Sequence, residues 1–172
     1  PDGFLYVLTD SADGQLLRAS AQENQDLFWA IRGGGGNFGV VTCFEYQLHP
    51  VSLVLAGVLS YPLAMAPRVL RFYDDFAKAA PDELSTAASL GLTPAGEPTV
   101  SITVCYCGPI GDGEQVLRPM RAFRSPADDT IQPVPYTDLQ SARDDAYPFG
   151  RLHYWKSGWL RDVTDGAIDT LM

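Results

Sequence analysis

Four consecutive glycines, Gly33 to Gly36, interrupt the chain between a segment patterned as a helix and a segment patterned as a strand. No helix or strand of ordinary stability runs through four glycines, so this stretch must be a turn or a loop. Ahead of it, Asp26 is placed to cap Leu27, Phe28, Trp29, Ala30 and Ile31, with Gly33 as the helix stop. Behind it, Val40, Thr42, Phe44, Tyr46 and Leu48 alternate with Val41, Cys43, Glu45 and Gln47, and His49-Pro50 ends the run. Glycine frees the backbone to adopt positive φ and to bring bare N–H groups against a ligand. Equally, it lets a helix pack close to a strand. Gly34, Gly36 and Gly39 fit G-x-G-x-x-G, but a dinucleotide-binding βαβ unit needs a strand before that motif and a helix after it. Here the order is reversed, and no acidic residue stands about twenty positions downstream.

The rest of the chain reads as α+β. Phe4 to Leu8 and Gln15 to Ser20 form a hairpin about Asp13-Gly14. Further strands are expected over 55–61, 84–92, 99–107, 130–134 and 152–160, with helices over 67–80 and 112–123, a helical turn over 137–142 and a helix beginning at the Thr164 N-cap. Val69, Phe72, Tyr73, Phe76 and Ala80 make one apolar stripe, while Val100, Ile102, Val104 and Tyr106 oppose Ser101, Thr103 and Cys105. This order implies a mostly antiparallel sheet with helices on one face. The chain opens on Pro1 rather than Met, with no leader pattern, and stops at Met172 without a C-cap signal, so it is expected to be a piece of a longer polypeptide.

Charge narrows the function. With 12 basic and 21 acidic residues the chain carries a net charge of −9, and Lys78 and Lys156 are its only lysines, which argues against a nucleic-acid partner. The longest apolar tract, 51–65, contains Ser52, Ser60 and Pro62 and falls short of the roughly 20 residues of a membrane span. The chain is expected to be soluble, cytoplasmic in preference to secreted. Cys43, Cys105 and Cys107 lack metal-ligand spacing; Cys105 and Cys107 share a strand face, from which they do not readily bridge, and all three read as buried thiols. No Walker lysine, H-E-x-x-H or G-x-S-x-G occurs.

The stretch Asp26-Leu27-Phe28-Trp29-Ala30-Ile31-Arg32-Gly33-Gly34-Gly35-Gly36-Asn37-Phe38-Gly39-Val40-Val41-Thr42, followed by Phe44-Glu45-Tyr46 and Leu48-His49-Pro50, resembles the signature of FAD-linked oxidases of the berberine-bridge-enzyme-like branch of the vanillyl-alcohol oxidase, or PCMH-type, superfamily. The resemblance extends more loosely through Cys105-Tyr106-Cys107-Gly108, Pro135-Tyr136-Thr137 and Tyr154-Trp155-Lys156-Ser157. It implies that 1–54 closes an FAD-binding domain and that 55–172 opens a substrate-binding domain whose sheet covers the flavin ring. It further implies that Gly34, Gly35, Gly36, Asn37, Phe38, Gly39 and Val40 line the cofactor, largely through backbone. The His and Cys segments that tether flavin in many members, and the Tyr-x-Asn-Tyr region that can supply a base, do not occur in this sequence, so no catalytic base is assigned and no metal is expected.

The implied activity is hydride transfer from an alcohol, sugar or natural-product C–H donor to the flavin, with molecular oxygen as acceptor. Tyr154 and Lys156, two apart in the expected strand, would project together toward a small-molecule substrate, whereas the opposite register would present His153 and the tryptophans instead. Tyr136, after Pro135, is a second substrate contact. The competing class is a non-catalytic α+β binding module.

Overall fold

The fold is that of a computed structural model, which describes residues 4–8, 16–46, 53–93, 95–142, 144, 148–152, 154–158 and 160–172. The chain divides into two compact units, Pro1–Pro50 and Val51–Met172.

In the first unit, β1 (Phe4–Leu8) pairs antiparallel with β2 (Leu16–Ala19) and with β3 (Val40–Glu45), giving the order β2-β1-β3. The Asp13-Gly14 turn and His49-Pro50 lie outside the described residues. Between β2 and β3 come α1 (Gln25–Ile31) and a 3-10 turn, Gly35–Phe38. The helix begins differently from expectation. Its N-cap is Asn24, in the left-handed region at φ 49° and with no side-chain cap, and Asp26 sits inside the first turn. What braces the entry is Ser20, buried, whose hydroxyl accepts from the N–H groups of Gln22 and Glu23 at 3.1 and 3.0 Å.

In the second unit, β4 (Leu53–Pro62), β5 (Leu84–Leu92), β6 (Pro98–Tyr106), β7 (Asp128–Asp129) and β8 (Gln132–Pro135) build one antiparallel sheet. Its order is β5-β6-β4-β7, with β8 also on β4. The single strand expected over 130–134 is thus two short ones, parted at Thr130-Ile131. The strand expected over 152–160 is absent among the described residues there, and Leu152, Tyr154 and Trp155 are exposed.

The helices α2 (Ala66–Lys78), α3 (Ile110–Phe123) and α5 (Asp165–Leu171) cover one sheet face. The alternation of β6 puts Val100, Ile102 and Val104 into that face, where they join Leu55, Leu59 and Tyr61 of β4, Val69 of α2, Leu117 and Met120 of α3 and Ile168 of α5 in one core. Phe72 of α2 stacks on Phe123 of α3 with ring centroids 4.3 Å apart. Thr164 caps α5 as expected, accepting from the Ala167 N–H at 3.2 Å. The last short helix, α4 (Tyr136–Ser141), packs against β4. Among the described residues no helix is long and apolar enough to cross a membrane.

Tyr61 is sunk into this core, and its hydroxyl makes no hydrogen bond among the described residues. Burial, with the Asp129 carboxylate adding to it, pushes the phenol above the ordinary tyrosine pKa. The folded chain then holds this proton at a pH where the unfolded chain has released it. The associated stability is complete below the ordinary tyrosine value and is lost as pH rises through the higher folded value. Tyr61→Phe is therefore expected to be neutral or stabilising by about 1 kcal/mol at neutral pH and to flatten the alkaline fall. Urea denaturation at neutral and alkaline pH checks both; a clear loss at neutral pH would mean the hydroxyl is bonded.

Candidate functional site

The glycine run sorts into two kinds of position. Gly33, at φ +110°, ends α1, and the Gly34 N–H closes onto the Ala30 carbonyl at 3.0 Å. A Cβ on Gly34 would lie 2.2 Å from that carbonyl oxygen and 2.5 Å from the Phe38 ring, so Gly34 is glycine because the turn packs against its own helix. Asn37 likewise serves the loop, its Nδ2 donating to the Gly34 carbonyl at 2.8 Å. Gly35, at φ +65°, and Gly36 differ: a Cβ on either would meet nothing within 4 Å. Their N–H groups lead the 3-10 turn, where a helix offers no internal acceptor, and they make no other hydrogen bond among the described residues.

Apolar surface adjoins these bare amides. Trp29 is 74% exposed and Val40 66% exposed. Leu27, Trp29, Ala30 and Phe38, with Asp26, line a shallow hollow of about 450 Å³ beside the turn. Arg32 does not reach outward from the turn. Its Nε donates to the Phe28 carbonyl at 3.2 Å and its guanidinium lies 4.4 Å over the Phe28 ring, so it closes the end of α1. Free backbone donors beside an apolar hollow suit a ligand that carries both anionic oxygens and a flat apolar ring system, which is the chemistry of a flavin dinucleotide. The residues present fit that group.

In the second unit the sheet face opposite the helices is built of small polar side chains. Ser89, Ser101 and Ser60 stand in register across β5, β6 and β4, and Asp128 of β7 continues the row beside Ser60. Ser60, Ser101 and Asp128, together with Val58, Thr99 and Leu92, border an open hollow of about 500 Å³. This row is not apparent in the sequence. Its signal is the Ser/Thr alternation opposite the apolar residues of β6, which becomes a surface only once Ser60 and Ser89 are known to stand beside Ser101.

The expected substrate contacts lie elsewhere in the second unit. Tyr154 and Lys156 are brought together, although no strand carries them: the ammonium lies 5.7 Å from the Tyr154 ring centroid, and the ring is 84% exposed. Tyr136 opens α4, directly after Pro135 of β8, and is about one-third exposed. His153 lies outside the described residues. Among the described residues no cluster of three or more His, Cys, Asp or Glu side chains could hold a metal ion.

Comparison with known proteins identifies the lineage. No family model matches the chain. An FAD-linked oxidoreductase of Dictyostelium discoideum is 34% identical over 157 residues, a match that takes in 90% of this chain and 34% of that protein. The crystal structure of 6-hydroxy-D-nicotine oxidase from Arthrobacter nicotinovorans superposes with a TM-score of 0.70 at 25% identity, over 86% of this chain and 33% of that one. A berberine-bridge-enzyme-like protein of Physcomitrella patens shares the fold, with a TM-score of 0.64 at 23% identity over 87% of this chain and 32% of that one. The chain spans about a third of the length of these relatives. The glycine turn and these similarities together make the chain a relative of FAD-linked oxidoreductases, proteins named for their FAD, and its helix-backed antiparallel sheet a fold shared with 6-hydroxy-D-nicotine oxidase and a berberine-bridge-enzyme-like protein.

Proposed function

We propose that the protein carrying this chain is an FAD-dependent oxidase acting on an alcohol, sugar or natural-product donor, with molecular oxygen as the electron acceptor. Residues 1–54 are read as the end of its FAD-binding domain and 55–172 as the start of its substrate-binding domain. FAD, when bound, supplies the redox chemistry, accepting a hydride from the donor C–H bond and passing the electrons to oxygen, which leaves as hydrogen peroxide.

This chain contributes binding and orientation. The observation that carries the reading is the pair of unpartnered N–H groups at Gly35 and Gly36, exposed beside an apolar hollow in the segment most like the family. They would hold the cofactor, with Gly39 and Val40 continuing the surface. Gly34, Asn37 and Phe38 would give the turn its shape. For the substrate, the Ser60–Ser101–Ser89 row offers hydroxyls that both donate and accept, and Asp128 offers an acceptor, which suits a polyhydroxylated donor. Tyr136, Tyr154 and Lys156 are further candidates, the last two as a phenol and an ammonium that orient one substrate oxygen.

Gly36→Val separates ligand binding from folding. Its side chain enters open space and its backbone is not left-handed, so thermal unfolding of the apoprotein should be unchanged. Affinity for FAD, followed by flavin absorbance or fluorescence titration of the protein that carries this chain, should fall at least about tenfold, or 1.4 kcal/mol. Undiminished affinity would remove the turn from the cofactor site. A wild-type protein that is colourless and takes up no added FAD would overturn the oxidase reading altogether.

A further inference from the structure

Cys105 and Cys107 are nearer than expected for two thiols on one strand face. Their Sγ atoms lie 3.8 Å apart, in sulfur hydrogen-bond contact. The reason is the end of β6. Cys105 is still in the ladder, opposite Ala56 and Ser85, while Cys107 is one residue past the strand, its N–H donating to the Glu83 carbonyl at 2.9 Å. Beyond the strand its side chain is free of the pleat, and its sulfur comes within 3.8 Å of the Cys105 sulfur. Two residues of extended chain separate Cα atoms by about 6.7 Å, inside the upper end of the range that a disulfide spans.

We propose that Cys105 and Cys107 form a peroxide-oxidisable dithiol that closes to an intrachain disulfide across Tyr106. The two sulfurs differ in the way such a pair needs. The thiols are not buried as expected: Cys107, past the end of its strand, is exposed and meets a solvent-borne oxidant first, whereas Cys105 is half-buried. Burial, then the hydrogen bond and charge of Cys107, push the Cys105 thiol up to about 11, so it waits as a protonated thiol. The Cys107 thiolate attacks one peroxide oxygen and the O–O bond breaks, leaving a sulfenic acid on Cys107 and hydroxide. The Cys105 sulfur then attacks the Cys107 sulfur, the S–O bond breaks, and the Cys105 proton leaves with the hydroxyl as water. In sum, two thiols and one peroxide give one disulfide and two waters. A ring this small is strained, so a dithiol reductant should reopen it readily.

The test uses the full chain with Cys43→Ser, which removes the exposed thiol of the first unit. The protein is fully reduced, freed of reductant and exposed to hydrogen peroxide, and the peptide bearing residues 105–107 is then weighed. The expected result is a peptide lighter by two hydrogens, with both thiols lost to maleimide together and both restored by dithiothreitol. In Cys105→Ser, a sulfenic acid should persist on Cys107 and be trapped by dimedone. In Cys107→Ser, which disturbs no packing, Cys105 should stay a free thiol under the same exposure. A peptide that keeps both thiols, gains oxygen at one sulfur without closing, or links only between chains would overturn the proposal.

Discussion

Ile102→Ala is expected to cost about 3–4 kcal/mol of stability, as buried isoleucine truncations do when the surrounding structure cannot collapse onto the gap. The site is held open from every side. Ile102 is 0% exposed on β6, a strand with neighbours on both edges, and it pairs with Leu59 of β4 and Ala88 of β5. The helices α2, α3 and α5 pack on the same face and place Val69, Leu117, Met120 and Ile168 in the same cluster. Inward movement of either neighbouring strand would stretch the β6 ladder, so most of the cavity stays. Against a typical total of about 5–15 kcal/mol, this loss leaves the unit marginal. Urea denaturation checks it: the midpoint should fall while the slope is kept. Ser101→Ala, the adjacent residue on the opposite face, should change stability by no more than about 0.5 kcal/mol. If Ser101 binds substrate, the two neighbours separate cleanly, one variant losing stability and the other raising KM.

That contrast also marks what was legible in the sequence. The strand β6 could be read because Val100, Ile102, Val104 and Tyr106 alternate with polar residues, and burial follows that alternation residue by residue. The helix α2 could be read from its Val69-Phe72-Tyr73-Phe76 stripe, and the start of α5 from the hydroxyl of Thr164. These signals are local. Alternation across Leu152, Tyr154 and Lys156 looked the same, yet no strand forms among the described residues, because periodicity reports which residues could share a face and not whether a neighbouring strand is there to bond. The glycine turn was legible as a motif, but the division of labour within it was not. That Gly34 packs while Gly35 and Gly36 stay open depends on backbone φ and on where the Phe38 ring falls. The closeness of Cys105 and Cys107 depends on β6 ending between them, an end that lies one residue earlier than the pattern suggests.

The parting of β7 from β8 is the clearest long-range effect, and Gly57→Ala is expected to expose it at a cost of about 2–3 kcal/mol, the scale of overpacking against a site that cannot give. At Gly57, φ is +157° and a Cβ would lie 2.5 Å from the Thr130 carbonyl oxygen and 2.6 Å from the Cα and N of Ile131. All three are backbone atoms, and the segment that carries them is pinned. The Val58 N–H donates to the Thr130 hydroxyl at 2.9 Å and the Thr130 N–H to the Val58 carbonyl at 3.0 Å. The Ile131 N–H donates to the Asp129 carboxylate at 3.0 Å, and Arg121 of α3 donates to the Ile131 carbonyl at 2.7 Å while pairing with Asp129. A methyl group at 57 must therefore break part of this network or push β4 out of its ladder with β6. Gly111→Ala supplies the matched control: it adds the same methyl group in the first turn of α3, where a Cβ meets nothing within 4 Å. It should be neutral or stabilising by about 0.5–1 kcal/mol, since alanine restricts the unfolded chain and favours the helix. Denaturation of the two variants side by side should give shifts of opposite sign; equal small shifts would mean that the Thr130-Ile131 segment can move aside, and that its place beside β4 is not dictated by Gly57.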